Sequence, residues 1–195
     1  MDIKVTAYPT TSVVTSNELA RLKTYLRVEN DDEDDDLKEM YVQAATMFEK
    51  LTGRACFTTS RRFAIPCLDS TGVIELPYPA LIAVQSVKYY DEDEVEQTLN
   101  ASYYTVVSSG DVGRVTIHEE GFDVLINLTD ILPNPISVNY TSGYGADASY
   151  APLGVRGWLR ECVKWMYNVK GRESQDGIPP HLRHMAGLWK LGKIY

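Results

Sequence analysis

The residues of this chain that could do acid–base or metal chemistry are few and far apart. Its three histidines are His118, His181 and His184, and the last two have the i, i+3 spacing of one helix face. A metal site would need an acidic or cysteine partner near that pair, and the sequence has none nearby. There is also no glycine-rich phosphate loop, no nucleophile elbow and no metalloprotease histidine pair. These patterns predict no catalytic residue, no cofactor and no metal site.

Paired carboxylates could support glycosidase chemistry, and the four consecutive acids of residues 91–94 are a candidate. They follow Tyr89-Tyr90 and precede another polar stretch, which is typical of the polar end of a β-hairpin. A small carbohydrate-active enzyme or binding module that uses the surrounding β-rich region is therefore an alternative function. Such a protein should present converging polar groups in a concave pocket.

A second acidic cluster, which we call the acidic segment, has seven carboxylates in the eight positions 29–36. Its members are Glu29, Asp31, Asp32, Glu33, Asp34, Asp35 and Asp36. A calcium-binding EF-hand loop would require a glycine and a distal glutamate at fixed offsets, and neither fits. Because like charges repel, we expect a solvated loop that continues into the first turn of a helix, where negative charge suits the helix dipole.

Three helices must position these residues. The first is predicted from near Ser16 to near Val28, with a capping-box spacing from Thr15 to Glu18. The second is predicted from about Asp34 to Thr52, and the third from near Pro152 to near Gly171. The buried face of the second helix should contain Leu37, Tyr41, Ala44, Ala45, Phe48 and Leu51. That of the third should contain Val155, Leu159, Cys162, Val163 and Met166.

Short runs rich in Val, Ile, Tyr and Thr, separated by turn residues, fill the region between the second and third helices. Candidate strands are Phe57–Ile65, Gly72–Leu76, Ile82–Asp91, Tyr103–Ser108, Arg114–His118, Val124–Leu128 and Ile136–Tyr140. The connections are too short for helical crossovers, so the strands should be mostly antiparallel.

These elements predict an α+β fold. A small helical core of three main helices carries an antiparallel β-rich insertion between the second and third helices, followed by a C-terminal tail. We expect residues 1–55 as the N-terminal helical part and 56–150 as the β-rich insertion. Residues 151–172 form the third core helix, and 173–195 form a tail that docks on a partner.

Composition and charge limit the class of protein. The chain has 195 residues, 44% hydrophobic and 24% charged, as in a soluble globular protein. No apolar run is long enough for a membrane span, and the N-terminus lacks the features of a secretory signal, so we expect synthesis in the cytoplasm. Cys56, Cys67 and Cys162 are too scattered for a disulfide framework and are expected as small buried residues.

The net charge of −8 is unevenly distributed. Residues 151–195 contain eight basic and three acidic residues, a net charge of +5, so the first 150 residues carry −13. An acidic body repels nucleic acid, which argues against sequence-specific DNA binding. The basic C-terminal part suits an acidic partner surface.

The C-terminal segment combines aromatic, aliphatic and basic residues, as interface hot spots do. The candidate docking residues are His181, Arg183, His184, Leu188, Trp189, Lys190, Ile194 and Tyr195. The functional hypothesis is that this segment inserts into a partner and becomes ordered there. The alternative is that it folds back onto the core of its own chain.

Several short motifs occur in a fixed order between residues 17 and 170. They begin with Leu22-Lys23-Thr24-Tyr25-Leu26-Arg27-Val28, then the acidic segment, then Ala44-Ala45 and Phe48-Glu49-Lys50-Leu51-Thr52-Gly53-Arg54-Ala55. They continue with residues 74–79, 84–91, 103–106 and 138–145 and with Pro152 at the start of the last long helix. In order and spacing this set resembles the head–tail connector (adaptor) proteins of tailed bacteriophages.

The resemblance implies a structural virion protein and not an enzyme. Subunits of that family form a ring, expected to contain twelve copies, beneath the portal in the virion neck. The ring docks on the portal protein, extends the channel through which double-stranded DNA passes without specific binding, and supports the stopper or tail proteins. The acidic segment would face either the lumen or the outside. A stopper or tail-completion protein is the alternative within the same class.

Overall fold

The chain is organised as two compact units. The computed structural model describes residues 1–109, 112–125, 128, 132–169 and 177–191. Met1–Tyr8 and Thr59–Gly143 form the β unit, whereas Pro9–Thr58 and Tyr144–Tyr195 form the helical unit. The β-rich part is therefore inserted between the second and third long helices of the described chain, in agreement with the predicted α+β class.

The helices and strands have well-defined bounds. The helices are α1 (Ser16–Leu26), α2 (Asp34–Thr52), α3 (Glu119–Leu125), α4 (Leu153–Val169) and α5 (Pro180–Gly187). The strands are β1 (Asp2–Ala7), β2 (Thr59–Ile65), β3 (Val73–Leu76), β4 (Leu81–Tyr90), β5 (Glu96–Thr98), β6 (Tyr104–Val107), β7 (Gly113–Ile117) and β8 (Ile136–Ser142).

Local hydrogen bonds explain where α1 and α2 begin and end. The Thr15 hydroxyl accepts the Glu18 N–H at 3.2 Å, so the predicted capping residue does fix the start of α1. The helix ends at Leu26, slightly earlier than predicted, because Arg27 is in the left-handed conformation with φ of 61°. Gly53, with φ of 71°, ends α2 and donates its N–H to the Glu49 carbonyl at 2.8 Å.

The predicted apolar stripes of α2 and α4 form the core of the helical unit. The α2 stripe is buried from Leu37 to Phe48, while Leu51 is half-buried against the same core. All five residues predicted for the buried face of α4 are buried. Phe48 meets Trp158 edge to face, with ring centroids 5.3 Å apart, which locks α2 against α4.

Two antiparallel sheets make up the β unit. One has five strands in the order β1-β2-β8-β4-β5, and the other has three in the order β3-β7-β6. One face of the larger sheet and the inner residues of the smaller sheet share one apolar core. That core includes Phe63, Val87, Val138 and Tyr140 from the larger sheet and Ile74, Leu76, Val115 and Ile117 from the smaller one.

The β unit differs from the prediction in three places. The strand predicted at Val124–Leu128 is wrong, because Val124 and Leu125 end the helix α3; residues 126 and 127 lie outside the described residues. A short apolar run does not distinguish strand from helix, and the acids at the start of α3 favour the helix. Strand β5 was not expected, nor was β1, which pairs with β2 although residues 1–55 were expected to be helical. Strand β5 has only three residues and pairs with the neighbouring strand β4, whereas β1 depends on β2, a partner distant in sequence.

The three cysteines differ in their exposure. Cys56 and Cys162 are buried as predicted, and burial raises the pKa of the Cys162 thiol to about 12. Cys67 is exposed, contrary to the prediction, because it lies just beyond the end of β2. Among the described helices, none has both the length and the apolar composition needed to cross a bilayer.

Candidate functional site

The C-terminal segment, as far as residue 191, packs on the helical unit. Leu182 and Ala186, on the inner side of α5, are buried in the core. The indole N–H of Trp158 donates to the Leu182 carbonyl at 2.8 Å, which ties α5 to α4. Residues 177–191 therefore fold back onto the core of their own chain, which was the alternative to docking on a partner. Helix α5 is an integral part of the helical unit.

Contacts beyond α5 also hold this segment to its own chain. The Arg54 Nε–H donates to the Trp189 carbonyl at 2.7 Å, and the Leu191 N–H donates to the Thr52 carbonyl at 3.1 Å. A Cβ atom added at Gly154 would lie 2.8 Å from Cζ2 of Trp189, so the indole ring lies directly on α4 at this glycine. Trp189 is consequently half-buried and anchors the segment.

The other candidate docking residues point outward. His181, Arg183, His184, Leu188 and Lys190 are exposed, and Leu188 keeps 80% of its surface exposed. Ile194 and Tyr195 lie outside the described residues. The outer side of the segment therefore presents cationic side chains and one fully exposed leucine. In the part of the chain that the structure describes, no group of three His, Cys, Asp or Glu residues is arranged to hold a metal ion.

Two exposed apolar residues were not predicted from the sequence. Tyr150, just before α4, and Leu153, its first residue, are 64% and 76% exposed. Leu153 lies off the buried stripe that runs through Val155 and Leu159, so its helical phase could have indicated exposure. The exposure of Leu153 is not evident from its residue type, because leucine is usually buried.

The acidic segment has the predicted form of a loop that enters a helix, with Asp34, Asp35 and Asp36 in the first turn of α2. Glu29, Asp31, Asp32, Asp35 and Asp36 are exposed, and Glu33 and Asp34 are half-buried. Most of these carboxylates therefore lie at the surface of the helical unit.

Several of these carboxylates bind groups of their own chain. Lys23 pairs with both Asp31 and Asp34, the latter at 2.7 Å, and Lys38 pairs with Asp35 at 2.7 Å. The hydrogen bond from Lys23 lowers the pKa of Asp31. These contacts fix the loop between α1 and α2 and partly offset the mutual repulsion of the acids.

A further acid contributes to the attachment of α4. The hydroxyl of Tyr167 donates to the Glu33 carboxylate at 2.7 Å, so the acidic segment is connected to the C-terminal half of α4. On the other side of α1, Tyr25 donates to Glu161, and this bond raises the pKa of Tyr25 to about 12. The first contact holds the acidic segment to α4, and the second holds α1 to α4.

The residues considered for catalysis have structural roles. Nδ1–H of His118 donates to the Ser102 carbonyl at 3.1 Å, and its Nε2 accepts from the Thr105 hydroxyl at 2.7 Å. Asp91 accepts the N–H groups of Asp93 and Val95, which builds the turn between β4 and β5. The acids at 91–94 thus form the hairpin end that the sequence predicts.

A groove of about 320 Å³ lies on the polar face of the β unit. It is lined by Asp2, Lys4, Arg62, Ala64, Tyr90, Leu132, Pro133 and Asn134. Asp2 is the one carboxylate in this lining, whereas a glycosidase of the usual type needs two that flank the bond. The groove gives no support to the glycosidase alternative.

The comparisons with known proteins agree with these observations at the level of the fold. No family model matches the chain, and no curated protein matches it. A chain from the neck of an empty gene transfer agent (GTA) particle, computed with C6 symmetry, superposes with a TM-score of 0.77 at 16% identity. The superposition covers 100% of this chain and 98% of that chain.

Two related structures give the same result. A chain from the neck of a native GTA particle, computed with C12 symmetry, has a TM-score of 0.74 at 16% identity. One from the virion of a native GTA particle has a TM-score of 0.73 at 17% identity. Both again cover 100% of this chain and 98% of the other. The chain therefore has, over its whole length, the fold of chains found in GTA particles and their necks.

Proposed function

We propose that this chain is a structural subunit of the neck of a tailed, phage-like particle, in the position of the head–tail adaptor. The observation that carries the proposal is the full-length match to chains of the GTA neck, with a TM-score of 0.77 and no large unmatched part in either chain. The order of motifs that resembles phage connector proteins supports the same function independently. The chain has no enzymatic role in this proposal and requires no cofactor.

The subunits form a closed ring, for which twelve copies is the proposed number. Support comes from the neck structures with the same fold, which were computed with C6 and C12 symmetry. A ring of identical subunits requires each copy to use two different faces for its two neighbours.

The ring extends the DNA channel below the portal and supports the stopper or tail proteins. A net charge of −8 suits a channel that double-stranded DNA must leave again without being retained. The acidic segment, with five exposed carboxylates, lines the lumen or faces the outside of the ring. The mature location is the virion neck, after synthesis in the host cytoplasm.

The exposed side of the C-terminal segment docks on the portal. It contains His181, Arg183, His184, Leu188 and Lys190 around the anchored Trp189, and Ile194 and Tyr195 extend the same segment. Because each subunit contributes one copy of this contact, a modest affinity per copy becomes a large avidity around the ring.

Binding of the chain to purified portal rings tests this function. Leu188→Asp should weaken binding at least tenfold, because it places a charge in the centre of the proposed contact. Ile82→Asp, the same type of change at a 49% exposed position of the β unit, is the matched control and should bind like the wild type. Wild-type protein that binds tail-side proteins but not portal would instead identify a stopper or tail-completion subunit.

A further inference from the structure

Strand β6 leaves one edge of the three-stranded sheet unpaired. The N–H of His118 donates to the Tyr103 carbonyl at 2.8 Å, which begins the ladder between β7 and β6. Because bonded pairs alternate along an antiparallel ladder, the backbone groups of Tyr104 and Val106 point away from β7. In the part of the chain that the structure describes, no residue binds these groups.

The unpaired edge of β6 is apolar and carries no charge. The strand reads Tyr-Thr-Val-Val, and Val106 and Val107 are 39% and 38% exposed. Val106 lies opposite the buried Val115, so its side chain is on the core side of the sheet although it is exposed. Edge strands of soluble proteins usually carry charges or proline that prevent further pairing, and β6 has neither. An extended chain that adds as a further strand is the partner that this edge fits.

Strand β1 leaves an edge of the five-stranded sheet unpaired in the same way. The N–H of Tyr90 donates to the Pro135 carbonyl at 3.0 Å, which fixes the alternation of bonds along β8. Carried through the registers of β8 with β2 and of β2 with β1, this alternation directs the backbone groups of Ile3 and Val5 away from β2. No described residue binds these groups either. Both side chains are half-buried, and Ile3 packs against the apolar core.

The free edges of β1 and β6 match in phase. On each strand, the residues whose backbone groups are free are those whose side chains lie on the core side. In an antiparallel pair, residues that exchange hydrogen bonds stand directly opposite with their side chains on one face. One antiparallel register therefore pairs Ile3 with Val106 and Val5 with Tyr104, and it continues the apolar face of one sheet into the other.

The remaining strand edges of the β unit fit β6 less well. Strand β5 has three residues, and the register with β4 leaves free the backbone groups of Glu96 and Thr98. Pairing β5 with β6 would place one of these polar side chains opposite Val106. On β3, the Val73 N–H already donates to the Thr71 hydroxyl at 3.3 Å. Of the edges in this chain, β1 is thus the matching partner for β6.

We propose that β6 of one copy pairs antiparallel with β1 of a neighbouring copy, so that a β-sheet crosses each contact between subunits. This inference rests on the proposed function, because a closed ring requires each copy to use two different faces. The free edges of β1 and β6 are two such faces, and they belong to different sheets of the same unit. Pairing of β6 with β6 would instead give a two-fold dimer and would not propagate around a ring.

A disulfide between copies tests the register. The proposed pairing places Lys4 opposite Thr105 as a non-hydrogen-bonded pair, with Cα atoms about 4.5 Å apart, close enough for a disulfide. Both residues are exposed, and Cys67→Ser removes the exposed native thiol. Rings assembled from an equal mixture of Lys4→Cys and Thr105→Cys subunits should form covalent dimers on oxidation. Neither variant alone should do so, nor should Lys4→Cys mixed with Gln97→Cys on the exposed strand β5.

A proline variant tests the backbone bonds. Val106→Pro removes an N–H from the free edge, where proline is tolerated, and should leave the subunit folded by denaturant unfolding. The protein concentration needed for ring assembly should rise at least tenfold. Thr98→Pro makes the same change at the free edge of β5 and should assemble like the wild type.

Hydrogen exchange gives a readout without any substitution. The amides of Ile3, Val5, Tyr104 and Val106 should exchange more slowly in assembled rings than in free subunits, whereas those of Glu96 and Thr98 should not change. Protection of β6 without protection of β1 would overturn the pairing and identify a strand from another protein as the occupant.

The outcomes separate this inference from the proposed function. Rings that form without the mixed disulfide and without added protection at β1 and β6 would refute the pairing and leave the neck function standing. Covalent dimers from Thr105→Cys alone would show that β6 pairs with itself. A wild-type protein that forms no ring, free or with portal, would contradict both the pairing and the proposed function.

Discussion

Glu18 and Arg160 form a bidentate ion pair inside the helical unit. The two carboxylate oxygens accept Nε–H and Nη2–H of Arg160, each at 2.8 Å, and Glu18 is only 4% exposed. Tyr41 donates its hydroxyl to the same carboxylate at 3.1 Å. One buried acid therefore connects α1, α2 and α4, and it raises the pKa of Arg160 through its hydrogen bonds.

Removing this carboxylate should strongly destabilise the helical unit. Glu18→Ala leaves the Arg160 guanidinium and the Tyr41 hydroxyl without their shared acceptor, at a cost of about 3 kcal/mol in the free energy of unfolding. Denaturant unfolding measures the change, with Glu39→Ala at an exposed position of α2 as control. A loss below about 1 kcal/mol would show that the pair contributes little, as exposed ion pairs do.

Phe48 should be one of the most sensitive core positions. It is fully buried against Trp158, so Phe48→Ala removes apolar contacts and leaves a cavity, with an expected loss of about 3–5 kcal/mol. Thr46→Ala, at an exposed position of the same helix, should change stability by less than about 0.5 kcal/mol. Equal effects of the two variants would contradict the helical phase of α2.

The attachment of α5 can be tested through one hydrogen bond. Trp158→Phe removes the N–H that the Leu182 carbonyl accepts together with the pyrrole part of a buried ring, so it should cost more than the about 1 kcal/mol of a single hydrogen bond. Hydrogen exchange should accelerate in residues 180–187 more than in α2. Unchanged exchange in α5 would mean that packing of Leu182 and Ala186 alone holds the helix.

The β unit should lose stability in acid through Glu96. This carboxylate binds Lys88 at 2.5 Å and Arg62 at 3.0 Å, and the Lys88 hydrogen bond lowers its pKa below 4.5. Because the folded-state pKa is the lower one, the stabilisation is fully present above about pH 4.5 and disappears as the pH falls through the folded-state value.

The experiment measures the free energy of unfolding of Glu96→Gln and of the wild type as a function of pH. At pH 7 the variant should be less stable by about 1 kcal/mol, a small value because the partners are part-exposed. The difference should shrink toward zero below the folded-state pKa. Glu92→Gln, in the exposed turn between β4 and β5, should follow the wild type at every pH. A difference that does not change with pH would exclude this ion pair as the cause.

Periodic apolar patterns and capping residues were sufficient to predict α1, α2 and α4. Thr15 and the stripe from Leu37 to Phe48 are local signals, and the structure uses both as predicted. Strand β1 could not be predicted in this way because its existence depends on pairing with β2, more than fifty residues away. The strand predicted at Val124–Leu128 failed for a different reason, because a short apolar run gives too little periodicity to distinguish a strand from the end of a helix.

The candidate surface was only partly visible in the sequence. The exposed cations and Leu188 follow from the composition of the C-terminal segment, but the burial of Leu182 and Ala186 required knowledge of the facing helix α4. The contact of Trp189 with Gly154, which holds the C-terminal segment on α4, joins positions 35 residues apart. Contacts of this kind are tertiary and leave no local pattern.

The most direct test of the adaptor function is the mass and negative-stain image of the purified protein, alone and mixed with portal rings. The proposed function predicts closed rings of twelve copies, either in the free protein or assembled on the portal. A protein that remains monomeric and does not associate with portal rings would contradict it.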